Sequence, residues 1–295
     1  ASNLTNVPNN LPSGITNTSY MFNFCSKFNA NISNWDVSDV TDMYSMFEEA
    51  TSFNQDISDW DVSSVTDMSV MFAEATSFNQ DISYWNVSSV TDMSGMFWNA
   101  TSFDQNISAW NISNVTTMNG MFRGVTLSTA NYDDMLITWA NEIPYYGVQP
   151  FVPFDGGNSK YSISAVNARE SLVQHRWAIT DGGIEIPENA MVLEFNTNLS
   201  EGNTITLPLQ GSLGIVSVYW GDNSANTYTT AGNYDHTYAY AGEYTVYIAG
   251  YLSQFGNGNT GYTNADKLVG VADFGNLGTS SFHGAFKGAT NLTQV

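Results

Sequence analysis

The sequence DISDWDVSSVTDMSVM occupies residues 56–71, and its pattern recurs on both sides at a constant step. Two markers define that step. Tryptophan stands at Trp35, Trp60, Trp85 and Trp110, and the dipeptide Met-Phe begins at Met21, Met46, Met71, Met96 and Met121. The period is therefore 25 residues. Self-similarity at a step of roughly 20 to 50 residues is typical of stacked repeats, so the pattern predicts a solenoid whose neighbouring coils complete one another's core.

Composition limits the partners that this chain can have. The 295 residues include 7 Lys and Arg against 28 Asp and Glu, a net charge of −21. Such a charge repels nucleic acid and anionic lipid surfaces, which argues against both as partners. No segment has the roughly 20 consecutive apolar residues of a membrane span. The single cysteine, Cys25, excludes an internal disulfide, and it aligns with Ala50, Ala75 and Ala100, which predicts a small buried core residue.

The apolar positions of one repeat predict both its core and its elements. They are Ile57, Trp60, Val62, Val65, Met68, Met71, Phe72, Ala75 and Phe78. The spacing I-x-x-W-x-V-x-x-V-x-x-M is similar to the L-x-x-L-x-L of leucine-rich repeats. It predicts a short strand near residues 59–63 and a helical return near residues 69–75.

The full consensus, TSFNQDISxWDVSSVTDMSxMF, covers residues 19–122. It resembles the BspA-like class of leucine-rich repeats, which is found in bacterial and protist surface proteins. The resemblance implies an extracellular, non-enzymatic repeat protein that serves adhesion or binding. It does not specify a ligand.

The period fails after Phe122, and residues 126–183 have a different pattern. Helix-start signals and apolar spacing predict helices over residues 128–140 and 162–175. Strand-like VQPFVPF and WAIT lie between and after them. This segment resembles the α/β C-terminal cap that closes such arrays, and a cap is needed because the last coil otherwise exposes its apolar end.

Residues 184–252 alternate in short strands separated by Gly, Asn and Asp, the pattern of a β-sandwich. The predicted strands are MVLEFNT, TITLPL, IVSVYWGD, ANTYTT and EYTVYIAG. The tripeptides at Trp220 and His236 and the segment GEYTV resemble the WGDG, HTY and GxYTV elements of PKD-like immunoglobulin-fold domains, with a departure at Asn223. The resemblance implies a spacer or binding module, and a structural hydrogen bond for His236.

Residues 253–295 return to the first pattern, because Phe282, Phe286, Ala289 and Leu292 reproduce the repeat columns. The predicted fold class is therefore mixed. It comprises a leucine-rich-repeat-type solenoid over residues 1–125, an α/β cap over 126–183, a PKD-like β-sandwich over 184–252, and the first coils of a second solenoid over 253–295.

Acidic residues recur in columns, and four of them are candidate calcium ligands: Asp36, Asp56, Asp61 and Asp81. Stacked repeats bring equivalent carboxylates to about 5 Å, where they repel unless they are solvated or bridged by a cation. Calcium prefers such oxygen ligands, so Ca²⁺ is the one cofactor considered. The alternative is a solvated face. A further column at Asp42 is interpreted as capping backbone N–H groups.

Two kinds of surface site complete the candidates. Glycosylation sequons occur at Asn3, Asn17, Asn31, Asn86, Asn99, Asn106, Asn111, Asn114, Asn198 and Asn291. Tyr84 and Trp98 stand where other repeats have smaller or polar residues, and they are candidate platforms for a sugar ligand. His175 lacks a matching nucleophile or metal cluster, which favours a packing role.

The sequence contains no Ser-His-Asp order, phosphate-cradling glycine loop, HExxH or paired CxxC, which indicates that the protein is not an enzyme. The leading interpretation is an extracellular structural and adhesive repeat protein, secreted or attached to a cell surface. The alternative is a carbohydrate-binding module of a larger secreted enzyme or adhesin. Expected partners are further copies of the chain, head to tail, and glycans or proteins of a host or of a cell surface.

The expectation of further copies comes from the two ends of the sequence. ASNLTNV at residues 1–7 matches ATNLTQV at residues 289–295 in five of seven positions. Ala1 and Ala289 both fall in the alanine column that is predicted to be buried. The chain is therefore expected to be one period of a head-to-tail assembly, either a covalent tandem array or a filament.

Overall fold

The computed structural model describes residues 3–295, without the side chains of residues 145 and 146. The chain divides into two compact units, a first that ends at Ile184 and a second that spans Glu185–Val295. The finer segment boundaries stay predictions, and the predicted burial of Ala1 lies outside the described residues. No helix in the described part of the chain has both the length and the apolar character needed to cross a membrane.

The repeat region of the first unit consists of turns joined by isolated parallel bridges. Successive backbone N–H groups alternate between two kinds of acceptor. The Met46 N–H donates three residues back, to the Met43 carbonyl at 3.2 Å, and the Phe47 N–H donates to Met71 of the next repeat at 2.9 Å. The same alternation recurs in each repeat, so neighbouring repeats are joined by hydrogen bonds between residues 24 or 25 positions apart.

The predicted fold class is wrong. Residues 59–63 form no strand and residues 69–75 form no helix. The helix is interrupted because each repeat places two residues of this return segment in the left-handed region. In the second repeat they are Ser45 and Glu49, with φ of 52° and 56°. Such residues interrupt both a helix and a strand. A leucine-rich-repeat solenoid is thus not formed, and most strand residues lie in one antiparallel sheet of the second unit.

The apolar columns are confirmed as the core of the repeat region. Every apolar position predicted from residues 56–78 is at most 4% exposed, and Cys25 is 2% exposed. Phenylalanine rings stack from one repeat to the next, with Phe47 and Phe72 at 5.5 Å between ring centroids. Each indole of the tryptophan column also donates backwards, as Trp85 does to the Ile57 carbonyl at 3.1 Å. Burial and hydrogen bonding therefore both connect neighbouring repeats.

The rest of the first unit contains two helices and two short strands: α1 (Thr129–Tyr146), β1 (Pro153–Asp155), α2 (Val166–Gln174) and β2 (Ala178–Thr180). Both predicted helices are present, although α1 continues to Tyr146 beyond the predicted end at residue 140, and α2 begins at Val166 after a short 3-10 turn (Ile163–Ala165). β1 pairs in parallel with β2. β1 also lies beside the fifth repeat, because the Met118 and Phe122 N–H groups donate to the Pro153 and Asp155 carbonyls at 2.9 and 3.0 Å. This contact supplies the acceptors that a following repeat would supply.

The second unit is built on six strands: β3 (Met191–Asn196), β4 (Thr204–Tyr219), β5 (Ala225–Tyr228), β6 (Gly232–Thr237), β7 (Glu243–Phe255) and β8 (Leu268–Asp273). They form one antiparallel sheet in the order β5-β4-β7-β3-β8, with β6 also paired to β4. The predicted two-sheet sandwich is therefore corrected to a single sheet. Two of the predicted strands are parts of the long β4, which shifts register between Gln210 and Val216 rather than ending there.

The predicted second solenoid over residues 253–295 is also corrected. β7 continues through Phe255, and β8 pairs with β3. The segment that follows is hydrogen-bonded to the same sheet, since the Phe255 N–H donates to Ser281 at 3.1 Å and the Val271 N–H donates to Gln294 at 3.0 Å. These residues belong to the sheet-based unit.

Candidate functional site

A surface cavity of the repeat region surrounds Trp98, which is 43% exposed. Its volume is about 230 Å³. The lining residues are Val70, Ser94, Gly95, Trp98, Asn119, Gly120, Arg123 and Asp155. The cavity thus combines an aromatic surface with a cation, an amide, a hydroxyl and a carboxylate.

The cavity exists because one repeat column changes to glycine. This left-handed position holds Tyr20, Ser45 and Val70 in the first three repeats, and Gly95 and Gly120 in the next two. A Cβ atom on Gly95 would lie 3.7 Å from the Val70 Cγ2 and 3.9 Å from the Trp98 Cε3, in the space beside the indole. The two glycines therefore leave room that the earlier repeats fill with side chains.

Arg123 lies over the indole ring of Trp98. Its guanidinium carbon lies 5.6 Å from the centroid of the Trp98 ring, a cation–π contact. Arg123 forms no ion pair with any residue that the structure describes. Asp155 uses Oδ1 to accept from the Gly157 N–H at 2.9 Å, and its Oδ2 has no donor among the described residues. A ligand in this cavity could bind the Arg123 guanidinium and the Asp155 Oδ2. It would contact only the part of the indole that Arg123 leaves uncovered.

Tyr84 lies in a separate cavity of about 250 Å³, lined by Ser83, Tyr84, Asn106, Ser108 and Ala109. The ring is 88% exposed. In the next repeat the equivalent residue is Ala109, which leaves the ring uncovered. Because the two cavities share no lining residue, the sequence-predicted platforms form two sites rather than one.

The candidate calcium ligands are exposed, and each accepts from the serine two residues later. The backbone N–H distances are 3.1 Å for Asp36, 3.0 Å for Asp56, 3.0 Å for Asp61 and 2.9 Å for Asp81. These serine hydrogen bonds hold the pKa of all four carboxyl groups below its ordinary value. Among the described residues, no three His, Cys, Asp or Glu side chains converge as a metal would need. Calcium binding stays a prediction.

The Asp42 column does cap backbone N–H groups, as predicted, although it precedes a turn rather than a helix. Asp42 accepts from the Tyr44 N–H at 2.9 Å, and Asp67 accepts from the Ser69 N–H at 2.8 Å. Asp42 also accepts from the Asn17 side-chain amide at 2.8 Å. Its carboxylate is therefore occupied by structural hydrogen bonds.

The ten sequon asparagines fall into two groups. In six the amide nitrogen, which is the atom that a glycan joins, already donates a hydrogen bond: Asn17, Asn99, Asn106, Asn114, Asn198 and Asn291. In the other four the side chain is exposed and its nitrogen has no described acceptor: Asn3, Asn31, Asn86 and Asn111. Glycosylation stays a prediction, and the second group offers the more accessible nitrogen atoms.

The three histidines have structural partners. His175 Nε2 lies 2.8 Å from the Val148 carbonyl, and His283 Nε2 lies 3.2 Å from Asn259 Oδ1. His236 Nε2 lies 2.8 Å from Asp222 Oδ2, and its ring stacks on Trp220 at 4.6 Å between centroids. The structural hydrogen bond predicted for His236 is confirmed.

Sequence reasoning identified Trp98 but missed the residues that make its cavity. Gly95 and Gly120 were visible as departures from a column of larger residues. Arg123 was visible as a basic residue in an acidic repeat region. Asp155 gave no such signal, because it comes from β1 outside the repeats.

Comparison with known proteins adds one similarity. Residues 6–135 match the family model described as "Mycoplasma protein of unknown function, DUF285". Neither a curated protein nor a solved structure matches the chain. The match covers fewer than half of the 295 residues, so it is a similarity of the repeat region to that family.

Proposed function

We propose that this protein is a non-enzymatic structural and adhesive protein of the cell exterior. The observation that carries the proposal is the repetition of the same polar atoms along one exposed face. The hydroxyl groups of Thr41, Thr66, Thr91 and Thr116 each donate to the threonine carbonyl of the preceding repeat, at 3.0 to 3.2 Å. Such a face offers many equivalent contacts, and multivalent contact gives strong attachment from weak single interactions.

The sequence resemblances support the same proposal. The repeat consensus is similar to BspA-like surface proteins, and residues 184–252 are similar to PKD-like spacer modules. The net charge of −21 favours a soluble exterior surface over contact with nucleic acid.

Surface labelling and bead attachment test the two parts of this proposal. Antibodies against the purified chain should label intact producing cells, and permeabilised cells serve as the control for total protein. Beads coated with the chain should adhere to immobilised glycans and matrix proteins, increasingly with coating density. Beads that carry an unrelated protein of equal charge control for electrostatics. Label only after permeabilisation contradicts the exterior location, and attachment equal to the control contradicts adhesion.

Carbohydrate binding is the second candidate function, and the cavity beside Trp98 favours it. An indole face with polar groups around it suits a sugar ring, which needs both an apolar contact and hydrogen bonds. We expect Trp98→Ala to weaken glycan-array binding at least about tenfold, the equivalent of about 1.4 kcal/mol. Tyr240→Ala is the matched control, because it removes an exposed aromatic that lines neither cavity. Equal losses in both variants, or binding by neither variant nor parent, contradict this site.

A further inference from the structure

An open row of backbone donors lies at residues 282–288. Within this row the Ala285 and Lys287 N–H groups donate three residues back, to the Phe282 and Gly284 carbonyls at 3.0 and 3.3 Å, and the His283 N–H donates to the Ser281 hydroxyl at 3.2 Å. This is the alternation of the repeat region with half of its partners missing. The N–H groups that have no acceptor among the described residues are those of Phe282, Gly284, Phe286 and Gly288. We call this row the donor edge.

The donor edge corresponds to the positions that connect one repeat to the next. GAFKGA at residues 284–289 aligns with GMFWNA at residues 95–100. In the fourth repeat the equivalent donors bond to the fifth: Met93 to Thr117 at 3.1 Å, Gly95 to Asn119 at 2.9 Å, Phe97 to Met121 at 2.9 Å and Asn99 to Arg123 at 2.8 Å. The donor edge therefore has the geometry to bond one further repeat.

A matching row of acceptors lies on the first repeat. The carbonyl groups of Asn17, Ser19, Met21 and Asn23 accept no backbone hydrogen bond from any described residue, and the Asn23 carbonyl accepts only from the Cys25 thiol, at 3.7 Å. Their equivalents one repeat later all do: Asp42 from Thr18 at 3.0 Å, Tyr44 from Tyr20 at 2.9 Å, Met46 from Phe22 at 2.8 Å and Glu48 from Phe24 at 2.8 Å. We call this row the acceptor edge.

We propose that the donor edge of one copy of this chain binds the acceptor edge of a second copy. The repeat register pairs Phe282 with Asn17, Gly284 with Ser19, Phe286 with Met21 and Gly288 with Asn23. Unpaired N–H and C=O rows are templates for another chain, and these two are complementary rather than alike. The contact rests on the proposed structural role and gives it a partner.

Side-chain size fits the same register. Tyr20 and Phe24 are 56% and 53% exposed at the acceptor edge, where they are bulky residues in left-handed positions. The register places them beside Gly284 and Gly288, which have no side chain to obstruct them. Phe286 would meet Phe22 as Phe47 meets Phe72 within the repeats, ring on ring.

Burial differs between the two edges and the equivalent positions inside the repeat region, within the residues that the structure describes. Met21 is 38% exposed, whereas its four equivalents in later repeats are fully buried. At the donor edge Phe282 is 38% exposed, whereas the equivalent Met93 is fully buried. Both edges thus expose apolar side chains that an adjacent repeat buries elsewhere in the chain.

The contact joins two different surfaces, so a pair of copies keeps one donor edge and one acceptor edge to which further copies can bind. A heterologous contact without closure produces a growing chain of subunits. Each copy carries a charge of −21, and the mutual repulsion opposes the contact at low salt. Added salt screens that repulsion, so the assembly should grow longer as salt concentration rises.

Phe282→Pro blocks the donor edge. Phe282 is 38% exposed, and its N–H has no acceptor among the described residues. Proline has no N–H, and its ring would stand where the bond to the Asn17 carbonyl should form. Phe274→Pro is the matched control, because Phe274 is 39% exposed and its N–H likewise has no described acceptor, but it lies outside the donor edge.

Asn23→Lys blocks the acceptor edge. Asn23 donates to the Glu48 side chain at 2.6 Å, and a lysine can keep that partner. In the proposed register position 23 faces Lys287, so Asn23→Lys sets two like charges opposite each other. Asn34→Lys makes the same charge change at an exposed position away from the edge. Lys287→Glu in the Asn23→Lys protein should restore the contact.

Sedimentation velocity over a range of protein and salt concentrations tests the proposal. We expect the parent chain and both control variants to form species that lengthen with concentration, and each blocked variant to stay monomeric. A mixture of Phe282→Pro and Asn23→Lys should form dimers and stop, because each dimer uses up one intact edge of each kind. Matching circular dichroism melts show that the variants are folded.

Three results would overturn the contact. They are a parent chain that stays monomeric at every salt concentration, blocked variants that assemble like the parent, or a mixture that grows beyond dimers. Monomeric protein that still labels cells and adheres on beads overturns the contact alone. Assembly without cell-surface label overturns the proposed function alone.

Discussion

At the scale of single residues, the tryptophan column connects each repeat to the one before it. Trp60 is 4% exposed, and its indole N–H donates to the Ile32 carbonyl at 3.2 Å. That carbonyl also accepts from the Trp35 N–H at 3.0 Å. Removal of the Trp60 indole therefore loses buried contacts and one hydrogen bond, but the Ile32 carbonyl keeps its bond from the Trp35 N–H.

We expect Trp60→Ala to lower the free energy of unfolding by about 3–5 kcal/mol, the usual cost of emptying a large core position. Trp60→Phe keeps most of the apolar volume and should cost about 1–2 kcal/mol, since it loses one neutral hydrogen bond and part of a ring. Urea unfolding followed by circular dichroism measures both. Trp98→Ala is the control at an exposed position, and an equal loss there would contradict the assignment of Trp60 to the core.

Lys267 is the least expected residue of the second unit. It is fully buried, and its Nζ donates to the carbonyls of Glu201, Gly202 and Thr204 at 3.1, 2.7 and 3.0 Å. Three fixed carbonyls take the place of water around the ammonium group. The sequence around residue 267 carries no sign of this arrangement, because the carbonyls come from a loop more than sixty residues earlier.

We expect Lys267→Met to destabilise the second unit by about 2–4 kcal/mol. Three carbonyls would lose their donor, at about 1–3 kcal/mol each, and relief from burying a charge would offset part of this cost. Chemical unfolding of the variant measures the change. Lys160→Met, at an exposed lysine, should stay within about 0.5 kcal/mol. An unchanged Lys267→Met protein would show that the carbonyls are satisfied without the ammonium group.

At the scale of elements, the sequence predicted the core of each repeat but not its backbone. Hydrophobic spacing specified the buried columns, which depend on side-chain periodicity alone. The backbone depends on left-handed residues such as Ser45 and Glu49, and neither residue type signals that conformation. The strand-helix assignment was therefore wrong although the core was right. The β8 strand (Leu268–Asp273) was not predicted, because the repeat-like apolar spacing after it led to the assignment of residues 253–295 to a second solenoid.

The turns in which an aspartate accepts from the serine two residues later make the stability of the repeats depend on pH. Hydrogen bonds from the Ser58 N–H and hydroxyl, at 3.0 and 2.7 Å, hold the pKa of Asp56 below its ordinary value of 3.8. A carboxyl whose folded pKa is lowered stabilises the fold above pH 3.8, and that contribution is lost as pH falls through the lower folded value. The repeats should thus weaken below about pH 4.

Asp56→Asn tests this dependence, because Asn31 and Asn106 occupy the same column and accept from the serine N–H at 2.9 and 3.0 Å. We expect the thermal midpoint at neutral pH to change little and its fall between about pH 4 and pH 2 to become smaller. Asp59→Asn removes the same charge at an exposed residue with no described side-chain hydrogen bond. Equal acid profiles for the two variants would contradict a role for the Asp56 turn.

At the scale of the whole molecule, charge opposes the fold as well as the contact between copies. Twenty-eight acidic residues against seven basic ones leave most carboxylates without a partner of opposite sign. In the described residues the ion pairs are Arg169 with Asp181 and His236 with Asp222, both at 2.8 Å. Folding concentrates the unpaired charge, so screening should favour the folded state over the more open unfolded chain.

We expect the thermal midpoint to rise as NaCl increases from about 10 mM to about 150 mM, as the screening length falls from about 30 Å to about 8 Å. The Phe282→Pro protein is the one to use, since it removes the proposed self-association from the measurement. CaCl₂ at equal ionic strength then separates screening from binding. Equal midpoints in the two salts assign the effect to screening alone. An excess in CaCl₂ that Asp61→Asn removes assigns it to the predicted calcium column, because only a site-bound ion depends on one carboxylate. A midpoint that falls with NaCl would mean that local hydrogen bonds to the carboxylates, rather than their mutual repulsion, dominate the electrostatics of the fold.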